Sequence, residues 1–284
     1  MQKTAPDLCA APPASSPGVY LYCFAHDAVA GRIDAPGIDE DTAVTAVAAE
    51  GIAAVVSPVS VESFNGPAGD ANLRDVAWVA PRARWHERVV EEVMRLSPVL
   101  PVRFGTVFSS TSALERLVAA NAGPIRLFLA RMADLEEWSV KAFLDVPKAE
   151  AWLMASQAAV DETTEPGPAS PGLRYIQGRR LRVDARRRLQ DLGRRTAGEV
   201  ERLLAAHAVD VCPLRLQQRE ASWQDRKMVL NCAQLILKDR AAAWRERAAE
   251  VEARYVEQGL SLNVCGPWPP YSFCPSLLDG GQSQ

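Results

Sequence analysis

The chain has 284 residues, 48% hydrophobic and 24% charged, with 32 Lys and Arg against 35 Asp and Glu for a net charge of −3. That composition is globular and long enough for about two domains with cores of their own, which excludes collagen-like, coiled-coil-only and wholly disordered chains. The bulk charge draws neither nucleic acid nor an anionic membrane, and no apolar run approaches the ~18 residues of a membrane-spanning helix.

The first 17 residues carry four prolines and no apolar h-region, so they read as a frayed, disordered tail and not as a secretory signal. GVYLYCF (18–24) is a first strand, followed by a turn-prone stretch with Asp34, Pro36 and Gly37. IAAVVSPV (52–59) is a second strand, and the Ala/Val segment before it (42–49) fits helix or strand equally. From Leu73 the apolar spacing turns helical, and Pro81, which lacks the N–H that a helix interior needs, predicts a kink or a fresh start before 82–96. PVLPVRFGTVF (98–108) is extended, its prolines marking a sheet edge. Ser112 and Glu115 form a capping box for the next helix, which Gly123 and Pro124 interrupt, and a domain closes near 133.

The second half opens with a strand over 138–144 and a short helix around 147–157, then the breaker-rich DETTEPGPASPG (161–172), read as an excursion loop. Leu181, Ala185, Leu189, Leu192, Thr196, Val200, Leu203 and His207 recur at steps of three and four, one stripe of a long amphipathic helix. Strands over 209–216 and 227–237 follow, then an Asp239-capped helix carrying Trp244, Ala248, Val251 and Tyr255, then a strand over 260–265. The order β-α-β-β-α-β is that of a ferredoxin-like domain. The expected layout is therefore α+β: a tail (1–17), an N-terminal α+β domain (18–133), a ferredoxin-like domain (134–265) and a Pro/aromatic C-terminal tail (266–284).

Few motifs carry chemistry. There is no Gly-rich phosphate loop, no nucleophile elbow, no zinc-protease helix and no calcium loop in the sequence. Three histidines (His26, His86, His207) and six dispersed cysteines suggest packed or surface groups and free thiols of a cytosolic protein, so neither a metal nor a cofactor is expected. The arginines between Arg174 and Arg195 are interspersed with Asp184 and Asp191 and read as a solvated helix face, against nucleic-acid binding. GPWPPYSF (266–273) is more unusual: its prolines pre-set an extended backbone and its aromatics carry large apolar surfaces, a composition suited to docking within the chain or onto another protein.

The chain resembles the gas vesicle protein F and L family. The resemblance rests on GVYLY (18–22), VSPV (56–59), His86 and Glu87 ahead of Val89 and Val90, VLPVRFGTVF (99–108), EWSVK (137–141), Leu230, Asn231 and Ala233, and GPWPPY (266–271). The N-terminal tail and the cysteines at 23, 265 and 274 depart from the usual pattern. The resemblance implies a two-domain, non-enzymatic accessory protein of gas vesicle assembly. Its expected partners are the hydrophobic major shell protein and other accessory gas vesicle proteins, and a minor shell component is also compatible. It would be cytoplasmic and vesicle-associated, with neither a lipid membrane nor nucleic acid as partner. Trp268, Pro269, Pro270 and Tyr271 are then the candidate docking or junction-locking segment, with Arg103 and Phe104 as candidate contacts. Arg103 would alternatively pair a carboxylate across a domain junction. The runner-up is a small-molecule enzyme or ligand-binding protein with a site between the two domains that uses His86 and Glu87.

Overall fold

A computed structural model describes residues 17–39, 41–158, 171–217 and 225–277. The 1–16 tail and most of the 161–172 loop lie outside the described residues. The chain divides into two compact units, Met1–Ala133 together with Pro269–Gln284, and Asp134–Trp268.

The first unit is built on β1 (Pro17–His26), a strand buried along nearly its whole length, as expected of a continuous apolar run at the centre of a sheet. It pairs antiparallel with β3 (Ile52–Ser60) on one side, and with β4 (Val99–Pro101) and β5 (Val107–Phe108) on the other. The undecided Ala/Val segment is a strand, β2 (Thr45–Ala49), joined to β3 by a two-residue turn at Glu50 and Gly51, both at positive φ. The proline-flanked β4 is at the sheet edge, as its sequence required.

Three helices accompany this sheet, two of them packed against its strands. The break between α1 (Gly66–Arg74) and α2 (Val76–Met94) falls at Asp75, whose carboxylate accepts the Ala77 N–H at 2.9 Å, and Pro81 is carried inside α2. A satisfied cap sets the boundary more firmly than a missing donor six residues later. In the same way α3 (Thr111–Met132) starts from Ser110, whose Oγ accepts the Ala113 N–H, and runs through Pro124 without interruption. The expected box at Ser112 and Glu115 and the break at Pro124 are corrected accordingly. Val89, Val90 and Val93 of α2 pack with Tyr20, Tyr22 and Cys23 of β1, while Leu114, Val118, Ile125 and Leu129 are the buried positions of α3.

In the second unit β6 (Leu135–Asp145) is central, between β8 (Arg226–Leu237) and β9 (Leu260–Trp268), with β7 (Asp210–Pro213) outside β8, and every pairing is antiparallel. The helices are α4 (Val146–Ala158), α5 (Pro171–Ala205) and α6 (Ala241–Tyr255). Trp138, Val140, Val200, Leu204, Trp244, Ala248, Val251 and Tyr255 share one core.

Three expectations change here. Asp239 lies in a 3-10 turn (Lys238–Arg240), and α6 begins without a side-chain cap. β9 runs on past Cys265 because Trp268 still pairs with Glu137. The apolar stripe of α5 buries Leu192, Thr196, Val200 and then Leu204, whereas His207, beyond the helix end, is exposed. Leu181 and Ala185 lie outside the described side chains. Leu204→Ala is expected to cost about 2–5 kcal/mol in urea unfolding. His207→Ala should fall within about 0.5 kcal/mol of the parent, and equal losses for the two would contradict this end of the core.

Candidate functional site

The first unit gathers its polar chemistry behind one aromatic cluster. Tyr20 and Tyr22 project from β1, His86 from α2, Phe64 from the turn before α1 and Phe104 from the loop between β4 and β5. Tyr20 lies edge-on to Tyr22 at 4.9 Å between ring centroids, and Tyr22 stacks on His86 at 5.6 Å. Phe104 meets His86 edge-on at 6.0 Å and also packs near Tyr20 and Phe64. His86 is a member of the buried face of α2, three and four residues before Val89 and Val90, so helical periodicity carries it into the core.

A buried imidazole needs a partner for each nitrogen. The Gly105 N–H donates to Tyr20 Oη at 3.1 Å, and Tyr20 Oη lies 2.9 Å from His86 Nδ1. Nε2 is 3.1 Å from Tyr271 Oη, and the ring also hydrogen-bonds the Val102 carbonyl. This network assigns the tautomer: the Tyr20 hydroxyl donates to Nδ1, Nε2 carries the proton, and the Tyr271 hydroxyl is left to donate to the Glu87 carboxylate. Burial lowers the His86 pKa to about 4, so the ring is neutral near pH 7. Burial also raises Glu87, against the opposing hydrogen bond from Tyr271, and raises Tyr271 itself.

Tyr271 arrives from the far end of the chain. Residues 269–277 form a strap on the first unit: Pro269 and Pro270 are buried, and the Cys274 thiol donates to the carbonyls of Pro270 and Pro101 at 3.2 and 3.5 Å. Beside the strap lies a cleft of about 250 Å³. Leu21, Phe24, Leu100 and Leu117 form its apolar wall, Tyr271 and Leu277 its strap side, and Arg103 its charged member. Arg103 is exposed and has no ion pair among the described residues, so the alternative of a paired Arg103 finds no support here.

Of the six residues singled out from sequence, Arg103 and Tyr271 therefore line one cleft, and Pro269 and Pro270 anchor the strap beside it. Phe104 belongs to the aromatic cluster behind it. Trp268 stands apart, the last residue of β9 in the second unit and 43% exposed. Tyr20, Cys274 and Leu277 were not anticipated. The valine spacing that follows His86 was the signal that it would be buried. Among the described residues no group of three or more His, Cys, Asp or Glu is placed to hold a metal ion, and no helix is long and apolar enough to cross a membrane. Arg186, Arg187, Arg188, Arg194 and Arg195 are exposed on α5.

The model of the family described as "Gas vesicle synthesis protein GvpL/GvpF" matches residues 18–275. Gas vesicle protein L of Streptomyces sp. (strain CB03234) is 29% identical over 229 residues, covering 78% of this chain and 79% of that relative. Gas vesicle protein L2 of Halobacterium salinarum (strain ATCC 700922 / JCM 11081 / NRC-1) is 25% identical over 284 residues and covers 95% of each. The crystal structure of the gas vesicle protein GvpF from Anabaena sp. PCC7120 shares the fold, with a TM-score of 0.64 at 20% identity over 92% of this chain and 97% of that one. The GvpF structure from Microcystis aeruginosa gives 0.61 at 19% identity over 91% and 99%.

Two measurements test the clasp. Tyr271→Phe leaves the ring in place but removes the hydroxyl, and is expected to cost about 1–2 kcal/mol in chemical unfolding. The His86 pKa is lower folded than unfolded, so its contribution is fully present above its ordinary 6.5 and is lost as pH falls through about 4. The loss amounts to about 3 kcal/mol at most. Glu87, raised in the fold, acts in the opposite sense, stabilising below its ordinary value and losing that contribution as pH rises. Thermal melts from pH 7 to 4 should therefore fall steeply in the parent and flatten in His86→Gln; an unchanged slope in the variant would remove His86 as the cause.

Proposed function

The chain belongs to the GvpL/GvpF family of gas vesicle synthesis proteins, and on that premise we propose that it is a non-enzymatic accessory protein. In this reading it binds the hydrophobic major shell protein, or another accessory gas vesicle protein, at the cleft beside its strap. The observation that carries the reading is the division of labour in that region. The polar groups that would serve catalysis, His86 and Glu87, are occupied by Tyr20 and Tyr271 of the same chain. What the cleft presents outward is the exposed Arg103, without an ion pair among the described residues, beside the half-buried Leu117, over an apolar floor of Leu21, Phe24 and Leu100. A shell subunit with one apolar face must be kept from aggregating before it joins the wall, and an apolar cleft with a charged member offers cover together with orientation. Such a protein would work in the cytoplasm, in association with the vesicle.

We read the two compact units as two domains and the second as ferredoxin-like. Counting its strands 1 to 4 along the chain, the sheet order is 4-1-3-2 and all neighbours are antiparallel, which supports that reading.

The test is co-expression with the major shell protein, and in parallel with the other accessory proteins of the same gene cluster, followed by purification from the soluble fraction. At least one is expected to co-purify with the parent, and Arg103→Glu, a surface change that should leave the thermal melt intact, should reduce capture about tenfold, equivalent to ~1.4 kcal/mol. Capture of none of them, or capture insensitive to both Arg103→Glu and Leu117→Asp, would refute docking at this cleft.

A further inference from the structure

The strap and its seat come from opposite ends of the chain. The seat groups that hold Tyr271 and Cys274, among them His86, Glu87 and the Pro101 carbonyl, precede Ala133, while the strap follows Trp268, and the chain between them folds as a compact unit of its own. No contact in the seat depends on which copy of the chain supplies the strap. We infer that the strap is exchangeable: residues 269–277 of one copy take the same seat on the first unit of a second copy, linking two chains by segment swapping.

Four features favour a second copy as the occupant. The seat demonstrably fits this sequence, since Pro269 and Pro270 are buried on it and the Tyr271 hydroxyl completes the His86 network. Swapping repeats those contacts unchanged and alters only the path of the connecting segment, which is why it is a low-cost route to dimers. The prolines at 269 and 270 fix φ where the strap leaves β9, so the released strap has fewer backbone states to lose on docking in trans, although its bound form includes a 3-10 turn over Tyr271–Phe273. The strap also leaves a cleft of about 250 Å³ at its side, so it is held by a limited set of contacts and not sealed into a filled core. A short tether acts as an effective concentration of order mM, so the closed monomer prevails in dilute solution and exchange grows as the chain is concentrated. The inference goes beyond the proposed function and stands whether or not a shell protein uses the cleft.

Two measurements decide it. First, a protease site is inserted between Trp268 and Pro269 in the full chain, the purified protein is cut, and a fluorescent peptide of residues 266–277 is added in excess. Anisotropy should report saturable replacement of the strap, weakened about tenfold or more when the peptide carries Tyr271→Ala. Second, light scattering on the intact chain from about 10 µM to about 1 mM should show a dimer fraction that rises with concentration. That fraction should disappear in Tyr271→Ala and in a chain ending at Trp268, each checked for folding by circular dichroism. Failure of the cut chain to exchange its strap would overturn the inference, as would a strictly monomeric parent or a dimer that survives both changes. Capture of shell protein is a separate readout, so the failure of one reading leaves the other standing.

Discussion

His86 is 1% exposed in the middle of an aromatic cluster, and the cost of burying an imidazole there is met only if both ring nitrogens find partners. Tyr20 supplies one from the central strand. Tyr271 supplies the other from the chain's last described segment, and the Val102 carbonyl adds a further hydrogen bond to the ring. That single requirement ties together β1, α2, the loop carrying Gly105 and the strap. It also decides the chemistry of the region, because a histidine held neutral and hydrogen-bonded on both sides is a fastening and not a free base.

The same economy governs the sheet edges, where unpaired backbone groups invite association. β4 is short and carries Pro101, and the strap lies against it through the bond from Cys274 to the Pro101 carbonyl. In the second unit the edge strand β9 has its Leu262 N–H taken by the Glu252 carboxylate at 2.9 Å, and Pro267 near its end offers no donor. β2 is the contrasting edge, five uncharged residues with no proline. The chain thus guards its edges unevenly, with most of the defence near its C-terminal residues.

Elements with strong local signals were legible from the sequence: the continuous apolar run of β1, the proline-marked edge of β4, and the core positions Trp244, Ala248, Val251 and Tyr255 of α6. The misplacements share one cause. Pro81, Pro124 and the pair Ser112 and Glu115 carry the signals of local punctuation, whereas the helices start where Asp75 and Ser110 each accept an exposed helix donor, six and fourteen residues before the two prolines, and run through them. The Ala/Val segment gave no periodicity to choose between helix and strand, and the choice was made by pairing with β3 across the Glu50–Gly51 turn. Among the described side chains the stripe of α5 fails at its end, where the helix stops and Leu204 takes the inward place expected for His207.

The candidate site divides along the same line. Composition by itself determined that the segment over 266–273 would be apolar and restricted in its backbone, because prolines and aromatics impose those properties wherever they stand, whereas the extended course expected there gives way to a 3-10 turn over Tyr271–Phe273. Composition and spacing left His86 open between a packed and a surface position, although the valines three and four residues on mark the face that the structure buries. Only the tertiary structure decided that Tyr271 and His86, 185 positions apart, complete each other's hydrogen bonding, that Arg103 and Tyr271 share one cleft, and that Trp268 does not. Contacts at that separation depend on how the sheet, α2 and the strap are brought together, and no local pattern of residues encodes that distance.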